Sequence, residues 1–124
     1  MKTPFFLFLF IVAMLIVSCA PEEIIEPTPL DPFAQCLTAN GVKIYGSITC
    51  SICAKQKKLI GPAYRFINEI ECNPNAPDSQ AELCVEEEIL ATPTWTRVSD
   101  GEEQRKEGYM KLEDLAAFSG CTLP

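Results

Sequence analysis

Histidine is absent from the 124 residues of this chain. Ser–His and Cys–His nucleophilic catalysis are thereby excluded, and so is any His-ligated metal site. Positive charge is scarce: Lys and Arg total 10 against 17 Asp and Glu, for a formal net charge of −7. Nucleic acid is therefore not an expected partner, because its binding rests largely on phosphate neutralisation by Lys and Arg. Long hydrophobic runs are missing too, apart from one of 13 residues, Phe5 to Val17. A membrane-spanning helix needs about 20 such residues. What the chain has in excess is cysteine, seven in all.

The apolar run follows Lys2 and ends in Ile16-Val17-Ser18-Cys19-Ala20. A basic residue before a short apolar core is the pattern of a secretory signal. Small residues leading into Cys19 resemble the bacterial lipobox, whose cysteine takes a diacylglycerol on sulfur and becomes the first mature residue. Residues 1–18 are thus read as a lipoprotein signal peptide and Cys19 as the lipidation site. The membrane partner is then reached through a lipid anchor, in the periplasm or on the outer face of the cell membrane. An ordinary signal or an uncleaved anchor would export the chain equally well. Each route leads to an oxidising compartment, where disulfides persist.

Residues 19–33 change character: Pro21, Pro27, Pro29 and Pro32 alternate with Glu22, Glu23, Glu26 and Asp31. Proline withholds backbone donors and like charges repel, so an extended, unpacked tether is expected there. Residues 34–124 are left for one folded domain.

Within that domain Val42-Lys43-Ile44-Tyr45 alternates in a β-rich manner and ends at Gly46, a strand. Thr49 is placed to cap a helix that starts at Cys50 and runs to Ile60, where Gly61-Pro62 halts it. Tyr64 to Glu71 reads as a second strand and Asn73 to Asp78 as a loop. Ser79 to Ile89 reads as a helix, Thr94 to Val98 as a third strand, and Ser99-Asp100-Gly101 as a turn. A polar edge strand, Glu102 to Gly108, and a helix, Leu112 to Phe118, complete the chain. The order β-α-β-α-β-β-α predicts an α/β fold, a four-stranded mixed sheet with helices on its faces.

Apart from Cys19, the cysteines are Cys36, Cys50, Cys53, Cys72, Cys84 and Cys121. Six cysteines admit fifteen pairings, so counting alone leaves connectivity open. Cys50-Ser51-Ile52-Cys53 stands at a strand-to-helix junction, the arrangement of dithiol–disulfide exchange. A helix N-terminus carries about half a positive charge and favours a thiolate placed there. Cys50 is accordingly the candidate nucleophile and Cys53 its resolving partner. Charge is segregated around them. Lys43, Lys55, Lys57, Lys58 and Arg65 are the only charged residues between Pro32 and Asn68, whereas seven acids and no base lie between Glu69 and Leu90. The lysines fit either a thiolate-stabilising field or the solvated face of a helix whose later turns favour cations.

Thr92-Pro93, at the entrance to a strand some forty residues beyond the C-x-x-C, stands where thioredoxin folds place a cis-proline loop. A cis X–Pro bond there would set the Thr92 backbone beside the sulfurs, ready to pair with an extended substrate. An ordinary trans proline at a strand start is the alternative. Trp95 is expected in the core.

Cys36-Leu37, Gly41 to Gly46, Cys50-x-x-Cys53, Gln56-Lys57-Lys58-Leu59, Glu71-Cys72 and Pro93-Thr94-Trp95 occur in that order. Together they resemble the thioredoxin-like domain fused to, or accompanying, bacterial and archaeal vitamin K epoxide reductase homologues. The likeness runs from about Phe33 to Cys121. It implies a thioredoxin-like fold and thiol–disulfide exchange by Cys50 and Cys53, with Pro93 as the cis-proline. It implies exported cysteine-containing proteins as substrates and a membrane quinone-linked reductase as redox partner. No cofactor is called for beyond the Cys50–Cys53 disulfide itself, and no metal. The chain departs from the family where Thr49 replaces an aromatic residue, Ser51-Ile52 replaces Pro-His, and Thr92 replaces Tyr.

The other four cysteines are expected as staples. Cys72 with Cys84 would close a loop around the prolines, and Cys36 with Cys121 would bracket the domain; a redox relay through Cys72–Cys84 is the alternative for that pair. By chain entropy the first is worth about 3 kcal/mol and the second about 4–5 kcal/mol. The leading functional class is an oxidoreductase. Its rivals are a non-catalytic, disulfide-stapled lipoprotein binding module and a Cys-ligated metal carrier, the latter lacking a second tight C-x-x-C.

Overall fold

A computed structural model of the chain describes residues 24–124. Cys19, its expected lipidation and the signal peptide lie outside the described residues. Residues 24–28 carry no regular structure, and Ile24 is 84% exposed. The chain then enters helix α1, Asp31–Ala39. This corrects the boundary at residues 33 and 34, which falls inside the helix. Pro32 lies in the first turn, where its missing N–H costs no hydrogen bond and its φ suits the helix. The same proline had pointed to an extended tether. Phe33, Ala34 and Leu37 recur at helical spacing and are completely covered. Asp31 accepts a 2.6 Å hydrogen bond from the Thr28 hydroxyl and pairs with Arg65, tying the helix start to the domain.

Strand β1, Lys43–Gly46, leads into α2, Ser51–Ile60. Cys53, Gln56 and Ile60 form the buried face of α2 at three- and four-residue steps. Gly61 ends it at φ 65°, a conformation that favours glycine. The chain continues as a 3-10 helix, Gly61–Phe66, not as the strand expected from Tyr64 onward. Pro62 supplies the helical φ, and Arg65 donates back to the Pro62 carbonyl at 2.8 Å. Strand β2 is therefore confined to Asn68–Glu71.

Helix α3, Ala81–Glu86, is shorter than the expected 79–89. Glu86, Glu87 and Glu88 place negative charge at its carbonyl end, against the helix dipole, and Glu88 turns the chain at φ 51°. Strands β3, Thr94–Ser99, and β4, Glu102–Glu107, form a hairpin, and α4, Leu112–Ser119, closes the fold.

The sheet order is β2-β1-β3-β4, with β1 parallel to β2 and antiparallel to β3. It is the mixed four-stranded α/β sheet that the sequence predicts. The larger core cluster gathers Phe33, Leu37, Ile44, Ile60, Trp95 and Leu115, so Trp95 is a core residue. A smaller one joins Tyr45 and Ile70 to Cys84 of α3. All of β4 is exposed, and its Glu, Arg and Lys side chains guard an edge that could otherwise pair with another chain. Among the described residues no helix is long and apolar enough to cross a membrane.

Candidate active site

Cys50 is the residue on which α2 is capped. Its backbone is extended (φ −87°, ψ 113°), and its Sγ accepts a 3.1 Å hydrogen bond from the Cys53 N–H. Sulfur thus takes the place of the usual N-cap oxygen and meets one of the unpaired N–H groups of the first turn. This corrects the capping assigned to Thr49, whose hydroxyl lies 2.9 Å from that of Ser47 and accepts from Asn73. Cys50 and Cys53 are joined as a disulfide, with Cα atoms 5.2 Å apart. Their environments differ. Cys53 is 1% exposed, whereas Cys50 is only half-buried and lines a groove of about 190 Å³ with Ser47, Ile48, Ala54 and Lys57.

The Thr92–Pro93 peptide is cis, and the Thr92 carbonyl oxygen lies 3.3 Å from Cys50 Sγ. The structure therefore brings together Cys50, Cys53, Thr92 and Pro93, which lie about forty residues apart in sequence. Two further bonds pin the loop: Thr94 Oγ1 donates to the Ala91 carbonyl at 2.7 Å, and Gly108 N–H donates to the Pro93 carbonyl at 2.7 Å. Pro93 is buried, Thr92 half-buried and Ala91 exposed. Ile48 and Ile52, 60% and 43% exposed, flank Cys50 in sequence and give its surroundings an apolar character.

The α2 lysines divide. Lys57 forms a 2.9 Å ion pair with Glu69, and Lys55 stands 4.6 Å from the centre of the Tyr109 ring. Lys58 is exposed. Two of the three cations thus have named partners other than the sulfurs.

The other cysteines pair as Cys36–Cys121 and Cys72–Cys84, with Cα separations of 5.9 and 5.7 Å. Three disulfides in one small domain fit an oxidising, extracytoplasmic environment. No protein-family model matches the chain.

Glu69 is the residue that sequence reasoning passed over. In the sequence it is one acid in an acidic stretch, yet from β2 it pairs with Lys57 of α2. A signal was available in Gly46. A Cβ at that position would lie 2.8 Å from Glu69 Oε1 and 3.8 Å from Cys53 Sγ. A side chain at Gly46 would have to displace the Glu69 carboxylate, while Cys53 Sγ lies at ordinary contact distance.

Proposed function

We propose that the chain is an extracytoplasmic, membrane-tethered thiol–disulfide oxidoreductase of thioredoxin-like fold, which exchanges disulfides with exported cysteine-containing proteins. A quinone-linked membrane reductase is the partner that restores its redox state. The observation that carries this reading is the asymmetry of one dithiol. A half-buried sulfur sits at a helix N-terminus beside the backbone of a cis-proline loop, and its bonded partner is shut away behind it.

The chemistry follows from that asymmetry. In the reduced protein the Cys50 thiolate, favoured by the helix N-terminus, attacks a substrate disulfide. A Cys50–substrate bond forms and one substrate sulfur leaves. Cys53 then attacks Cys50 Sγ, the Cys50–Cys53 bond forms, and the second substrate sulfur departs as a thiol. Two electrons pass from the protein dithiol to the substrate. In the reverse direction a substrate thiolate attacks Cys50 of the disulfide and Cys53 leaves. The Thr92 backbone gives an extended substrate strand something to pair with during the mixed-disulfide stage. Neither step needs an imidazole, which suits a chain with no histidine.

Replacing Cys53 with alanine removes the resolving sulfur. The variant should accumulate substrate proteins covalently on Cys50, visible as reducible high-mass bands that vanish in a Cys50→Ala/Cys53→Ala double variant. A clean monomer in every variant, together with no exchange by the intact protein, would instead mark a binding module whose Cys50–Cys53 bond is structural.

A further inference from the structure

Strand β4 has one free side. It pairs with β3 across the hairpin, and among the described residues nothing pairs with its outer edge. All of its residues are exposed. The charges along it follow an order: Glu102-Glu103-Gln104-Arg105-Lys106, acids first, bases last and a neutral amide between them. Charged side chains keep most strands off an open edge. A strand whose two halves differ in sign repels a copy laid beside it in parallel register, yet fits a copy laid antiparallel. The chain as a whole is at −7, whereas β4 carries Glu102, Glu103 and Glu107 against Arg105 and Lys106, so general repulsion between copies is relieved along it.

Backbone and side chains agree on one register. Gly108 donates its N–H to the Pro93 carbonyl at 2.7 Å, one step beyond the register pair Thr94 and Glu107. Even-numbered residues of β4 therefore turn their backbone groups to β3, and Glu103, Arg105 and Glu107 turn theirs outward. A two-fold axis normal to the sheet at Gln104 sets Glu103 of each copy opposite Arg105 of the other, where the outward N–H and C=O groups of both meet. It also sets Glu102 opposite Lys106, and each of these opposite-charge pairs occurs twice by symmetry. Gln104 faces itself. Moving the axis to Glu103 stacks that acid on itself. Moving it to Arg105 does the same to the guanidinium and puts Glu103 against Glu107. Within one protomer Arg105 donates to Glu103 at 2.6 Å and to the Glu87 carbonyl at 2.8 Å, so its guanidinium is already laid along this face. Apolar side chains border the edge: Tyr109 and Phe118 line a groove with Gln104 and Lys106, and Val85 and Leu90 line another with Arg105.

We propose that β4 is a self-recognition edge: two copies of this chain join β4 to β4, antiparallel about Gln104, so that their two sheets become one. The inference does not depend on what the cysteines do. One edge strand makes a small contact, so the pairing is reversible and follows protein concentration. Strands β1 and β4 point the same way, because each is antiparallel to β3. The two-fold axis reverses one copy. The two Cys50 residues, each beyond the end of its β1, then lie toward opposite ends of the joined sheet. The pair presents two separate sites and no shared cleft.

The test is sedimentation equilibrium of the full chain in density-matched detergent. The unsubstituted chain should show a monomer–dimer equilibrium that weakens as salt rises above about 0.1 M. Arg105→Glu with Lys106→Glu puts acids opposite acids, and Glu102→Lys with Glu103→Arg puts bases opposite bases. Each double variant should raise the dissociation constant about a hundredfold. The second does so while lowering the chain's net negative charge, which separates the effect from general repulsion. Mixed in equal amounts, the two variants should form a heterodimer, because every facing pair is again opposite in sign. A lone monomer at about 1 mM unsubstituted protein, a dimer that survives either double variant, or no heterodimer on mixing overturns the proposal. Should a double variant not fold, cross-linking decides, in a chain carrying Cys50→Ser and Cys53→Ser. Gln104→Cys brings two Cβ atoms to about 5 Å across the axis and should link copies on oxidation. Glu107→Cys, far from its counterpart, should not. Any other pattern refutes the pairing.

Discussion

Two kinds of disulfide share this domain, and they differ in loop length, setting and expected use. Cys36–Cys121 spans 85 positions and Cys72–Cys84 spans 12, and in all three pairs one cysteine is buried and its partner half-buried. Cys50–Cys53 spans 3, and Cys50 alone of the six caps a helix and lies beside the cis Thr92–Pro93 bond. In the chain-entropy picture a link stabilises by restricting the unfolded chain, and the effect grows with the loop it closes. The long link is then worth about 4–5 kcal/mol, the middle one about 3 and the short one about 2. A bond that contributes least to holding the fold is the one that can be opened and closed during turnover without risking the fold. The fold already holds Cys50 and Cys53 close through β1, α2 and the Thr92–Pro93 loop, so the bond between them is not needed to position them.

That contrast is open to direct attack. The largest effect should come from exchanging roles. Cys36→Ser with Cys121→Ser should lower unfolding free energy by about 4–5 kcal/mol in urea while leaving exchange by Cys50–Cys53 intact. Cys50→Ser should do the reverse, abolishing exchange with a stability loss of about 2 kcal/mol or less. Equal losses of stability from both would erase the distinction.

Next in size is Gln56, which holds the active-site helix from behind. Its amide donates to the Met110 carbonyl at 3.0 Å and accepts from the Met110 N–H at 2.8 Å, and the residue is fully buried. Gln56→Leu would strand both backbone groups and should cost about 2–4 kcal/mol by chemical denaturation. A neutral result would mean that water replaces the amide.

The smallest effect concerns the entry of the chain. Burial alone would raise the Asp31 carboxyl, but hydrogen bonds from Thr28 and the Arg65 guanidinium outweigh it and hold it below the usual carboxylate range. A carboxyl depressed on folding adds stability above its unfolded range and loses it as pH falls through the folded value. Asp31→Asn should therefore flatten the acid side of the stability–pH curve while leaving the Cys50–Cys53 exchange rate unchanged. An unaltered curve would show that this network does not contribute.

Much of this was legible because local and global signals agreed. The β-rich run from Val42 to Tyr45 stops at Gly46 as β1 does, α2 repeats its buried face at Cys53, Gln56 and Ile60, and Gly61-Pro62 ends it. The misses came where one signal has two structural meanings. Pro32 among acids describes a tether, but it equally describes the first turn of a helix, and only the burial of Phe33 and Leu37 decides. Tyr64 and Phe66 alternate as a strand would, but a proline two residues earlier favours a 3-10 turn. Glu69 was invisible for a different reason. Its neighbours Gly46 and Cys53 lie 23 and 16 residues away, and nothing local distinguishes it from Glu71 two residues on.

The Cys36–Cys121 link has a mechanical side. It joins the first helix to the residues that follow the last one. Tension applied between the leading segment and the C-terminus therefore travels through a few residues of α1, across the sulfur bridge and out, bypassing the strands. A protein tugged at its ends would keep its reactive centre unloaded, because the sheet and α2 lie inside a closed ring that carries none of the force.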